Sequence, residues 1–132
     1  MSVTKFFTYI GGKYIFFKEI IMNNFNFSAV EGNLVRDPEL KETKNGKSLC
    51  KFTLGNSYSY TSRNGEQVEK ANYFDITTWS KLAETCAKYL KKGSRVLVSG
   101  SLRKDVWKDN DGNYRSNIYI DSRNINFLPG KA

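Results

Sequence analysis

Between Tyr73 and Leu102 the hydrophobic period changes twice. Tyr73-Phe74-Asp75-Ile76-Thr77-Thr78-Trp79 is dense in aromatic and β-branched residues, which suit a pleated, half-buried surface. From Ser80 the spacing becomes helical. Leu82, Cys86 and Leu90 recur every four residues with Ala83 and Ala87 beside them, so one face of a helix is apolar. Ser80 offers a hydroxyl as N-cap. Lys88, Lys91 and Lys92 are expected in the last turn, where the dipole favours cations, and Gly93 supplies the stop. Arg95 to Gly100 then returns to strand. No other stretch makes a good helix.

Elsewhere the pattern is strand and turn. Phe25 to Arg36 predicts the first strand of the main domain. Gly32 inside it marks a bulge or sharp bend, as a strand needs when it serves two sheets of a small barrel. Asp37-Pro38 ends this strand, and Leu40 to Thr43 continues it after the break. Lys44 to Lys47 is a turn. Ser48 to Tyr60 is a long strand with Cys50, Phe52 and Leu54 on the core face and Leu49, Lys51 and Thr53 opposite. Thr61 to Lys70 is a polar loop with Asn64-Gly65 at its tip. Asn72 to Trp79 returns, and after the helix Ser94 to Trp107 and Tyr114 to Leu128 follow. Lys108 to Asn113 joins the last two. Its Asp109, Asp111 and Asn113 have calcium-loop character, but the full spacing and terminal Glu are missing, so a plain turn is expected. The order β, β, β, α, β, β with two long hairpins predicts an all-β OB-fold. That is a five-stranded Greek-key barrel with one α-helix between strands three and four, the helix plugging the barrel end.

Residues 1–22 differ from the rest. Phe6 to Ile10, Gly11-Gly12 and Lys13 to Phe17 have the pattern of a small hairpin. Gly11, Gly12 and Lys13 interrupt what would otherwise be a signal-peptide or membrane run. Met22 opens a second start, so the expectation is upstream sequence read through from an early start codon. The alternatives are an added hairpin or an oligomer contact. The OB-fold domain is then 23–128, with 129–132 a short C-terminal end.

Composition sharpens this picture. The 132 residues suit one domain, and there are only two cysteines, Cys50 and Cys86, without paired spacing. Both are expected as buried free thiols of a reducing compartment. With no histidine, His-based acid–base and nucleophilic chemistry is excluded, and so are most zinc sites. No cofactor, metal or enzymatic activity is expected. The 21 basic and 13 acidic residues leave a net charge of +8, which points to a polyanionic partner. Two Trp, eight Tyr and nine Phe are many for so polar a chain. Cations that track phosphates and rings that stack on unpaired bases form the composition of a single-strand nucleic-acid binder.

The motifs GNLVRDPEL at 32–40, NGK at 45–47, CKFTLGNSYSY at 50–60, WSKLAE at 79–84, YLKKGSRVLVSGSLR at 89–103, and Trp107 followed by Asp111-Gly112-x-Tyr114-Arg115 occur in order. Over about four-fifths of the chain, Asn23 to Leu128, they resemble the bacterial single-stranded DNA-binding protein (SSB) family. The resemblance implies base-stacking roles for Tyr60, Tyr73, Trp79 and Trp107. Basic positions that match the pattern imply phosphate contacts for Arg36, Lys51, Lys81, Lys92 and Arg103. It also implies a homotetramer in the cytoplasm, associated with the nucleoid, that coats single-stranded DNA in replication, recombination and repair, with no membrane contact. Two departures stand out. Phe74 replaces a family histidine that supports subunit association. The sequence ends PGKA, without the acidic tail that recruits replication and repair proteins, so the resemblance does not extend to those partners. The alternatives are an OB-fold primosome accessory protein, a cold-shock-type RNA chaperone, or a basic scaffold with both tryptophans buried.

Overall fold

The computed structural model describes residues 2–22, as backbone, and 24–130. Strands β1 (Ser2–Ile10) and β2 (Lys13–Met22) pair antiparallel across Gly11-Gly12, Ile10 facing Lys13. This hairpin is a sheet of its own.

The second sheet contains β3 (Ser28–Leu34), β4 (Glu39–Glu42), β5 (Ser48–Thr61), β6 (Gln67–Trp79), β7 (Arg95–Lys108) and β8 (Tyr114–Phe127), with helix α1 (Ser80–Tyr89) between β6 and β7. The strands run β3-β7-β8-β6-β5, and a further β3–β5 pairing closes the ring. This is the expected five-stranded barrel. The short β4 pairs with β5 at Lys51 to Ser48, immediately beyond the point where β3 pairs with Gly55 and Leu54. The two pieces therefore flank one strand in succession, interrupted at Asp37-Pro38.

Closure depends on β3 changing partners. Residues 28–33 pair with β7, and Asn33 and Leu34 turn to β5. At the crossing Gly32 is buried, and a Cβ on it would lie 2.5 Å from the Gly55 carbonyl oxygen. Only a residue without a side chain admits that approach. Upstream, the Asn26 amide imitates a strand residue: its Nδ2 donates to the Leu102 carbonyl at 2.8 Å, and its Oδ1 accepts from the Leu102 N–H at 2.9 Å.

The core is the inward face predicted from alternation. Cys50, Phe52 and Leu54 of β5 meet Ile76, Val96, Val98, Ile120 and Leu34, and Ala83, Cys86 and Leu90 of the helix segment close the end. Burying Leu54 or Ile76 completely contributes about 1.5–3 kcal/mol each. The buried Thr78 hydroxyl donates to the Cys50 carbonyl at 3.1 Å, which offsets its desolvation. Burial raises both thiol pKa values, that of Cys86 to about 11, with the neighbouring Cys50 adding to the effect.

Helix α1 departs from the sequence reading at both ends. Its N-cap is Trp79, extended at φ −127° and ψ 155°, with no side-chain cap hydrogen bond. Ser80 is already helical in position but lies at φ +56°, the one positive-φ non-glycine among the described residues. A hydroxyl in that conformation does not perform the expected capping. The helix also stops at Tyr89, so only Lys88 lies in its last turn. Lys91 and Lys92 belong to the following turn, where Ser94 N–H donates to the Lys91 carbonyl at 3.0 Å. Gly93, at φ +91°, serves that turn rather than the helix end. Its N–H and carbonyl are held by the Leu34 carbonyl and the Asn33 amide.

Candidate nucleic-acid interface

Antiparallel register assigns the faces. Opposite the core, β6 presents Tyr73, Asp75, Thr77 and Trp79, whose β5 partners are Gly55, Thr53, Lys51 and Leu49. Across the barrel, β7 and β8 contribute Asp105 with Asn117, and Arg103 with Tyr119. Between these hairpins lies an open groove of about 430 Å³, lined by Arg36, Lys51, Thr53, Asp75, Trp79, Asp105 and Tyr119 among others. Trp79 is 40% exposed. As the last residue of β6 it shares the face of Tyr73, Asp75 and Thr77 by alternation, and its side chain lines the groove.

Three of the nine expected site residues, Arg36, Lys51 and Trp79, therefore share one groove. Tyr73, 68% exposed, lines a second hollow with Tyr58 and Lys70. Its partner Gly55 has no side chain to compete for the space above the sheet. Trp107 is half exposed and lies two residues beyond Asp105 on the β7 arm, on the same strand face by alternation. Arg103 shares that face, and its Nε lies 3.7 Å from Asp121 Oδ2. Tyr60 stands on the opposite face of the β5–β6 ribbon, paired with Val68. It stacks on Tyr58 with centroids 6.5 Å apart and planes inclined by 24°. Lys81 on α1 and Lys92 in the next turn are exposed but line neither hollow. The Lys92 N–H donates to Asp37 Oδ1 at 2.8 Å.

Sequence reasoning missed several groove residues. Thr53 lies on the outward face, as alternation predicts, but it is only 9% exposed because that face forms the groove floor here, where it hydrogen-bonds with Arg36 and Asp75. Tyr58 was legible in principle, being two residues from Tyr60. Tyr119 has its phenol pKa raised by burial, by the charge and hydrogen bond of Asp105 and by Asp121, with Arg103 opposing. Tyr114, at the tip of the β7–β8 hairpin, is exposed with Lys108 Nζ 5.0 Å from its ring centroid. In the adjoining loop Asp109 accepts from the Asp111 and Asn113 N–H groups and from Arg115 Nε. The carboxylate thus organises the expected turn.

The sequence that builds this barrel and its exposed aromatics matches the single-strand binding protein family over residues 25–128. The chain belongs to the single-strand binding protein family. The single-stranded DNA-binding protein of Borreliella burgdorferi is 39% identical over 104 residues, which span 76% of this chain and 69% of that protein. The Neisseria meningitidis protein of the same name is 35% identical over 100 residues, 76% of this chain and 58% of that protein. In Deinococcus radiodurans the matched part is 34% of the relative, so several relatives are considerably longer than the shared domain. The fold is similar to a crystal structure of a deletion mutant of the single-stranded DNA-binding protein from Thermus aquaticus. The TM-score is 0.72 at 22% identity, covering 81% of this chain and 52% of that one.

Proposed function

We propose that residues 25–128 bind single-stranded DNA without reading its sequence, as a non-enzymatic coating protein. The observation that carries this reading is the groove whose lining includes the 40%-exposed Trp79 together with Arg36 and Lys51. A ring stacks on any unpaired base for about 1–3 kcal/mol, and the neighbouring cations track the backbone. Tyr73 and Trp107 continue the stacking surface along the two arms, with Arg103 between Trp107 and the barrel, and Tyr60, stacked on Tyr58, offers a ring on the other face of the β5–β6 ribbon. Paired bases cannot offer their faces to these rings, so duplex is rejected by geometry. By mass action, binding shifts the duplex equilibrium towards separated strands.

The biological setting is coating and protection of unpaired strands in replication, recombination and repair, in the nucleoid of the cytoplasm. No helix among the described residues is long and apolar enough to cross a membrane. The assembly is a homotetramer, in keeping with family membership. Competition between a thymine oligomer, its duplex and the matching RNA tests the reading; equal affinity for duplex would refute it, and an RNA preference would favour a chaperone. Light scattering tests the assembly, where a dimer would favour a primosome accessory role.

A further inference from the structure

A hydrogen-bonded relay crosses the groove floor. Arg36 Nη2 donates to Thr53 Oγ1 at 3.2 Å, and Thr53 Oγ1 donates to Asp75 Oδ1 at 2.9 Å. The three residues come from three places: the segment after β3, the middle of β5 and the facing position of β6. Thr53 and Asp75 are register partners, so the sheet itself fixes their spacing.

We infer that Thr53 and Asp75 are positioning residues that hold the Arg36 guanidinium in the groove as a preorganised phosphate contact. This rests on the single-strand-binding reading above. A hydroxyl has one proton, and an ionised carboxylate can only accept. Asp75 therefore accepts the hydrogen bond of the Thr53 hydroxyl, which leaves the hydroxyl lone pairs to accept from Arg36. The nearly buried Thr53 side chain cannot easily turn away. One guanidinium N–H is occupied by this anchor, and a guanidinium carries five, so donors remain for a phosphate. An arginine already held in place loses less conformational freedom on binding. Four carboxylates line the groove, those of Asp37, Glu39, Asp75 and Asp105, and the relay gives one of them a use: the charge of Asp75 opposes DNA, but its hydrogen bond to Thr53 orients the cation that binds it.

The test is the salt dependence of thymine-oligomer binding in the full chain, read by anisotropy of labelled DNA. Each lost phosphate contact on a single strand lowers the log–log slope by about 0.7. Arg36→Met sets the reference loss. Thr53→Val keeps the side-chain shape, removes the relay and is expected to reproduce that loss, while Thr53→Ser retains the wild-type slope. Asp75→Ala is expected to lower the slope too, although removing an anion alone would strengthen binding and leave the slope unchanged. Melting curves monitor the fold in all four. A full slope in Thr53→Val or Asp75→Ala beside a reduced slope in Arg36→Met would overturn the relay. A full slope in Arg36→Met would remove the phosphate contact itself, and the relay with it, while single-strand binding by the wild type would still stand.

Discussion

Replacing Gly32 by Ala tests the barrel's closure. The new Cβ would lie 2.5 Å from the Gly55 carbonyl oxygen and 3.1 Å from its carbon, against an ordinary contact of 3.4–4 Å. Both obstacles are backbone, on a strand paired along its length with β6, so neither a rotamer change nor a flexible side chain relieves the clash. β3 and β5 must separate by nearly 1 Å at the point where β3 leaves one partner for the other. Overpacking of this kind costs about 1–3 kcal/mol. The smaller entropy of an unfolded chain with Ala in place of Gly returns only about 0.4–1 kcal/mol. The net loss, about 1–2 kcal/mol, should lower the melting midpoint by about 5–8 °C. Circular dichroism melts of the two proteins at equal concentration measure it. An unchanged or raised midpoint would mean that the β3–β5 seam is loose, and the placement of Arg36, two residues past that seam, would lose its basis.

Other expectations follow from single observations. Ser80→Gly should raise the melting midpoint, against the usual rule that glycine weakens a helix, because Ser80 sits at φ +56°, where a side chain costs about 1–2 kcal/mol; a lower midpoint would contradict that backbone. Cys50 and Cys86 are completely buried with raised pKa values, so a thiol reagent at pH 8 should label them only at the rate of unfolding, and rapid native labelling would contradict the core. Hydrogen bonds from Arg115 and the turn N–H groups lower the Asp109 pKa below 3.8. Its contribution to stability is therefore present above that value and lost as pH falls through the folded-state pKa. The melting difference between the wild type and Asp109→Ala should shrink below pH 4, and a difference independent of pH would refute it.

The barrel was legible because its signals were local. Alternation at Cys50, Phe52 and Leu54 identified the core face, the period change at Ser80 located the helix, and the asparagine–glycine and aspartate-rich stretches marked the hairpin tips. The helix ends were less legible. Ser80 and Gly93 are good cap residues by type, but hydrogen bonds to the Leu34 carbonyl and from the Asn33 amide hold Gly93 in a turn, and Ser80 lies at φ +56°. The groove was only half visible. Aromatic and basic positions could be read along the strands, whereas Thr53 and Asp75 have no signature until β5 and β6 are in register and Arg36 reaches across from β3. Alternation also separates Tyr60 from Tyr73 and Trp79, a division that residue type alone does not reveal.

The function rests on exposed rings, in the groove and on the two hairpin arms, stacking on unpaired bases. Its most direct test is tryptophan fluorescence during titration with a thymine oligomer, repeated at several salt concentrations, against duplex, and in Trp79→Phe and Trp107→Phe to assign the signal. Stacking predicts strong quenching by the single strand, little by duplex, an affinity that weakens with salt, and a share of the quenching lost in each variant. Unchanged fluorescence on addition of the single strand, with no preference over duplex, would contradict it and leave the barrel a fold without this function.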